Sequence, residues 1–374
     1  MSELASVRHR GDGAGEPATP KHSWWWVIVL IGFGALGVYL AAPDVDVLRG
    51  ALDRLRDVPV AAIAIVVVGA IGLVITEAIR IAAIAWLLGE RASPRDAWDA
   101  AVANHVMTAI TPQVGLGEPT VAYTLAKRGM PWDAAVAIPF VKFTTSLALV
   151  FALGTLLVAL GAGPPVAQWM TSTAIVWFGA IALVATTVVV VFSSAHLGAR
   201  WIRAVTTWLA RRRVFASERW QTRIASTREV ALRTVARLAK MRVGDDRAGD
   251  DRVGDDRVGD DRVGRGPVVA AIVLVIVHIL YYASYIAPLV GLALVLGDPP
   301  FATLCLRALV YLCFVFAMPT PGGAGPSEAA AAWFFGDLMP PADAIAIVVV
   351  FRASTFYLQL AIGALYLPIR RVAR

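Results

Sequence analysis

Two glutamates sit in stretches that an ordinary helix would not tolerate: Glu118 in TPQVGLGEPT (111–120) and Glu328 at the end of PTPGGAGPSE (319–328). A basic residue follows each at the same interval, Lys142 and Arg352, both 24 positions further on. Glycine and proline let a chain reverse, and a helix that restarts after the reversal presents free N–H groups and the positive end of its dipole. A carboxylate can cap those groups, or an anion can take its place. A lysine or arginine brought alongside pairs equally well with a carboxylate or a phosphate. Two readings therefore stand side by side. The pairs either lock one chain segment to another, or they meet a substrate head group or coupling ion directly. The candidate binding residues are Gly115, Gly117, Glu118 and Lys142 in the first set, and Pro321, Gly322, Gly323, Gly325, Glu328 and Arg352 in the second.

The segments that must position these residues are apolar. Hydrophobic residues make up 58% of the 374 and charged residues 16%, with mean hydropathy +0.68. Apolar runs at 24–42, 60–88, 133–160, 171–194, 268–297 and 343–369 each supply roughly the 20 residues needed to cross a ~30 Å hydrocarbon core. A soluble protein would need polar helix faces that these runs lack. The chain is expected to be an all-α polytopic membrane protein with about six full transmembrane helices. The first run follows a polar leader and ends at Ala42-Pro43, so it reads as a retained signal anchor.

Two further apolar pieces, 97–112 and 113–128, are too short to span singly, each reaching ~24 Å as helix. Their flanks carry Arg91 and Arg95 before, Lys127 and Arg128 after. They are expected to form a re-entrant hairpin over 97–128, entering and leaving on one side. Sliding the sequence by 210 residues places Gly115 on Gly325, Glu118 on Glu328, Pro131 on Pro341, Asp133 on Asp343, Thr145 on Thr355 and Lys142 on Arg352. A second hairpin is thus expected over 301–338, and an internal duplication accounts for the matches. Lys127-Arg128 falls on Asp337-Leu338, an acidic loop in place of a basic one. Under the positive-inside rule the two copies then lie inverted in the membrane, as in many secondary transporters. Lys142 and Arg352, about ten residues into their helices, would lie ~15 Å deep, where charges are functional candidates by default.

Glu77 and Arg80 are spaced to pair on one helix face, although Arg80 could instead snorkel to the inner surface. Tyr281, Tyr282, Tyr285 and His278 occupy the equivalent helix of the second copy and suit packing or a substrate-facing wall alike. Glu77, Arg80, Tyr281 and Tyr285 are retained as supporting residues.

The net charge of +7 concentrates in 195–242, with 12 Arg and Lys against Glu218 and Glu229, interleaved with Trp201, Trp208 and Trp220. That pattern suits amphipathic helices on an anionic cytoplasmic membrane face, and no nucleic-acid partner is expected. A GDDR repeat from Gly244 to Arg262 reads as a disordered linker. The expected organisation is a cytoplasmic tail 1–23, a first half 24–194, a cytoplasmic segment 195–266, a second half 267–370 and a cytoplasmic tail 371–374. There is no GxxxxGK[ST] motif for ATP. Two cysteines and five scattered histidines suggest neither a disulfide framework nor a metal site. No cofactor is expected.

PQVGLGE (112–118), PTPGGAGPSE (319–328) and FRASTFYLQLAIGAL (351–365) together resemble the transmembrane, flippase region of the lysylphosphatidylglycerol synthase family, the integral membrane domain of multiple peptide resistance factors. The resemblance covers most of 24–370 apart from the 195–266 insertion. The chain departs from it at Thr120-Val121, where the family usually carries a basic residue, and at Lys142, where arginine is common. The resemblance implies translocation of a lipid between leaflets. The synthase reaction needs a separate soluble domain, and no segment here is large enough to hold one. The leading expectation is a non-enzymatic carrier of an anionic or polyprenyl-phosphate-linked lipid in the plasma membrane, with both termini cytoplasmic and self-association left open. The rivals are a membrane transferase or phosphatase acting on a lipid-linked head group, and a scaffold that recruits partners through 195–266.

Overall fold

A computed structural model describes residues 45–111, 117–164, 168–192, 194–215, 217–242, 267–318, 320 and 325–372, with isolated positions between 32 and 39. The expected first span (24–42) and the GDDR linker lie almost wholly outside the described residues. Among those described, regular structure is entirely helical, with no strand. Five stretches are long and apolar enough to cross a membrane: Val60–Leu87, Trp132–Ala159, Met170–Phe192, Val268–Leu296 and Pro341–Tyr366. Each matches an expected span. The chain is a multi-pass membrane protein.

One sequence of elements occurs twice. In the first half, α2 (Val60–Leu87) is followed by α3 (Pro94–Ile110), α4 (Gly117–Lys127) and α5 (Trp132–Ala159). In the second, α9 (Pro267–Leu296) is followed by α10 (Phe301–Ala317), two short helices α11 (Pro326–Ala329) and α12 (Ala331–Phe335), then α13 (Pro341–Arg352) and α14 (Leu358–Val372). A π-helical turn, Ala353–Tyr357, joins α13 to α14. The short legs contain 17 residues (α3 and α10) and 11 residues (α4). As helices they reach ~25 Å and ~16 Å, below the span of a hydrocarbon core. The second hairpin departs from the expected single return leg, because a turn at Ala330 breaks it into α11 and α12.

Across the spanning helices apolar side chains face outward, and the charges at mid-helix are buried. Val60, Val68, Trp177 and Leu183 are all more than 60% exposed, whereas Glu77, Arg80, Lys142, His278, Glu328 and Arg352 are all under 5%. Such an arrangement suits a chain whose solvent is lipid, where outward apolar faces cost nothing and buried charges must find one another. The long helices α2 and α9 pack along each other. Gly69 of α2 lies where both halves converge. A β-carbon there would come within 2.3 Å of Pro288 Cγ and 2.9 Å of Ser354 Oγ in the π turn. Gly69→Ala is expected to destabilise the protein by about 1–3 kcal/mol through overpacking. Gly72→Ala, on the same helix and facing open space, should cost nothing. Thermal unfolding of the two variants in detergent distinguishes them.

Two amphipathic helices brace the halves crosswise. The segment 43–59, between the first two expected spans, contains the helix α1 (Val45–Arg56). Ala51 and Arg54 lie one turn apart on its inner face, so the chain meets α13 both by packing and by charge. Arg54 Nε lies 2.8 Å from Asp343 Oδ1, and Ala51 packs against Ile345. On the other side, α6 (Gln168–Phe192) leads into the basic segment, which forms α7 (Ala195–Ala210) and α8 (Glu218–Arg242). Arg237 of α8 reaches Asp133 at 2.8–2.9 Å and Glu90 at 2.5 Å. Asp133 and Asp343 are equivalent residues in the two copies, each in the first turn of its helix. Each is held by an arginine from the amphipathic helix that precedes the opposite half.

Candidate functional site

The first charged cluster is assembled from four helices. Glu77 and Arg80 lie one turn apart on α2, and their side chains meet at 2.5 Å inside the bundle. Arg80 is therefore paired and buried, not extended to the inner surface. Lys142 of α5 is fully buried and serves two carboxylates, Glu77 at 2.5 Å and Glu118 of α4 at 2.9 Å. Asn104 of α3 donates to Glu77 Oε1 at 2.8 Å, and Arg80 Nη1 donates to Ser146 Oγ at 3.0 Å. The expected Glu118–Lys142 pair is present. The sharing of Lys142 with Glu77, 65 residues away, is the addition that spacing alone did not reveal. Gly117 is buried beside this cluster, where a β-carbon would come within 2.2 Å of Thr108 Oγ1 and 2.8 Å of Asn104 Oδ1. Glycine at that position lets the start of α4 lie against α3.

The second cluster is smaller and more tightly bonded. Gly325 adopts φ 88°, a conformation that glycine takes readily, and it turns the chain into α11. Glu328 reaches back to accept from the Gly325 N–H at 2.9 Å and from Ser327 Oγ at 2.5 Å. It thus caps its own helix in the manner of a capping box. Arg352 Nε donates to the other oxygen of Glu328 at 3.0 Å, with both side chains almost wholly buried. The Arg352 guanidinium also lies 4.7 Å from the Phe356 ring centre, and its Nη2 has no hydrogen-bond partner among the described residues. Immediately after Arg352 comes the π turn, a feature often found at functional sites because it redirects side chains without ending the helix.

Aromatic residues of α9 connect the two clusters. Arg80 stacks over Tyr281 at 3.9 Å, Tyr281 lies 6.3 Å from Tyr285, and Tyr285 lies 5.8 Å from Phe351, the neighbour of Arg352. Tyr282 donates to the Ser146 carbonyl at 3.0 Å, and His278 pairs with Thr145 at 3.1 Å. The tyrosines thus belong to the site's interior. Gly115, Pro321, Gly322 and Gly323 lie outside the described residues.

Beside the second hairpin lies an apolar cavity of about 500 Å³, lined by Val158, Phe178, Phe314, Met318, Trp333 and Phe334 among others. It contacts both legs of the hairpin.

Each hairpin is also tied across its base, with the signs reversed. Asp99 on the first leg of hairpin one is bonded to Arg128 in the loop that follows, and it accepts from Tyr366 at 2.6 Å. Arg307 on the first leg of hairpin two holds Asp337 in its following loop at 2.7 and 3.1 Å. Asp99, one of several charges near the start of its leg, had no distinguishing signal in the sequence, whereas Arg307 is the lone charge of its apolar leg. Their loop partners stood out as the basic and acidic loops of opposite sign.

The family model described as the lysylphosphatidylglycerol synthase TM region matches residues 24–363. No curated protein matches the chain.

Proposed function

The chain belongs to the lysylphosphatidylglycerol synthase TM-region family, and from that premise we propose that it moves an anionic phospholipid or a polyprenyl-phosphate-linked lipid between leaflets by alternating access of two inverted halves. The observation that carries this reading is a carboxylate–cation pair at the return of each hairpin, Glu118–Lys142 and Glu328–Arg352, in which both cations are almost wholly buried. Such charges are expensive at membrane depth, and a lipid phosphate is the ligand for which a lysine and an arginine are suited there. The apolar cavity beside hairpin two is suited to a lipid chain.

The inversion is favoured by the crossed braces, Arg54–Asp343 and Arg237–Asp133, and by the opposite polarity of the two hairpin ties. In this reading both hairpins are re-entrant, α7 and α8 lie on the anionic cytoplasmic surface of the plasma membrane, and both termini are cytoplasmic. Trp201 and Trp208, 60% and 55% exposed, suit insertion at a headgroup interface. In this reading the protein is a carrier, its buried acids held in ion pairs with Arg80, Lys142 and Arg352.

The experiment is lipid movement in reconstituted vesicles. Fluorescent phosphatidylglycerol or fluorescent polyprenyl phosphate should become accessible to an impermeant quencher from both leaflets in the presence of the wild-type protein. No movement of either above protein-free vesicles would contradict the reading.

A further inference from the structure

The first cluster is balanced in charge. Glu77 and Glu118 offset Arg80 and Lys142, so the cluster is neutral when all four are ionised, as is the Glu328–Arg352 pair. An anionic head group entering either would leave an uncompensated negative charge in a low-dielectric interior, which is costly. A cation must enter with it, and the smallest is a proton.

The three carboxylates are not equally able to accept one. Glu77 is fully buried and takes bonds from Arg80, Asn104 and Lys142 at 2.5–2.8 Å. Glu328, with 3% of its side chain exposed, is held by Gly325, Ser327 and Arg352. Glu118 differs on both counts: its side chain is 30% exposed, and among the described residues its ion pair is with Lys142 alone. The asymmetry is written in the sequence as well, since the positions equivalent to Glu77 and Arg80 are Ala287 and Val290. Only the first half carries a spare acid and base. Around Glu118 are Lys142 from α5 and Glu77 and Arg80 from α2; Asn104 and His105 of α3 interact with Glu77, His278 of α9 approaches the Lys142 carbonyl, and Tyr281 lies under Arg80 beside Tyr282.

We propose that Glu118 takes up one proton from the aqueous side for each anionic head group that Lys142 engages, and releases it when the head group leaves. The proton adds to a carboxylate oxygen of Glu118, and the Glu118–Lys142 ion pair opens. Lys142 keeps Glu77 and turns a freed N–H toward the lipid phosphate. No covalent bond forms or breaks apart from the O–H of Glu118, and the site stays neutral when the head group carries one negative charge, as a phosphodiester or a singly protonated phosphomonoester does. The inference rests on the lipid-carrier reading above and adds its energy source: a proton gradient would drive directional movement.

The test uses the full chain in sealed phosphatidylcholine vesicles containing an internal pH dye, with fluorescent phosphatidylglycerol and fluorescent polyprenyl phosphate in separate arms. A gradient of about one pH unit is expected to change the wild-type rate by up to about tenfold, with proton flux accompanying lipid movement. Whichever probe shows this identifies the source of the phosphate. Glu118→Gln should abolish the ratio of rates with and without the gradient, together with the proton flux. Glu118→Asp, which keeps the acid, should retain both, and it serves as the decisive variant if the glutamine form fails to fold. Equal wild-type rates with and without a gradient, or a glutamine variant that keeps the gradient response, would overturn the inference and leave the carrier reading standing. Failure of both probes to move would overturn that reading and the inference with it.

Discussion

Lys142→Met is expected to lower stability by about 3–5 kcal/mol, enough to prevent recovery of folded protein in many detergents. Methionine fills much the same volume without charge, so the loss measures the ammonium and not a void. Lys142 is fully buried between Glu77 and Glu118 at 2.5 and 2.9 Å. Removing it strands one carboxylate wholly and leaves the other to Arg80 and Asn104. Glu118→Gln should cost much less, because Lys142 keeps Glu77 and no charge is left without a partner. Thermal unfolding of both variants reads the difference. If Lys142→Met were as stable as wild type, the ion network would not be holding hairpin one in place.

The second large effect separates fastening from function at hairpin two. Glu328→Gln leaves Arg352 buried without its counter-charge, and Arg352→Gln does the converse to Glu328. Each is expected to cost about 3–5 kcal/mol, while the double variant should recover much of the loss because no charge is left unpaired. Lipid movement by the double variant should nevertheless stay abolished, since the cation that would meet the phosphate is gone. Stability and transport recovering together would show that this pair only fastens the hairpin.

What the sequence revealed depended on how local the signal was. Glu77 and Arg80 sit one helical turn apart, so their pairing follows from periodicity. The Glu118–Lys142 and Glu328–Arg352 pairs became visible because the copies repeat the same interval and the glycine-rich motifs mark the turn between. Contacts between distant elements have no such mark. Lys142 meeting Glu77, Arg54 meeting Asp343 and Arg237 meeting Asp133 are set by how the helices pack. The α1 helix was hidden for a related reason: with its charges mixed along VDVLRGALDRLR, it resembles a polar loop until α13 gives its apolar face something to cover. The break at Ala330 within hairpin two was masked by a run of alanines, which favours unbroken helix.

The proposed arrangement has the two halves entering the membrane from opposite sides, so that each charge pair serves a different leaflet. It is tested most directly by labelling single cysteines with an impermeant maleimide, in a background in which Cys305 and Cys313 have been replaced. Arg91 and Lys127 flank hairpin one, and Asp298 and Pro340 flank hairpin two; all four are exposed. Cysteines at 91 and 127 should label from the cytoplasmic side only, and those at 298 and 340 from the opposite side only. Labelling of all four from one side, or of the two flanks of one hairpin from different sides, would contradict it.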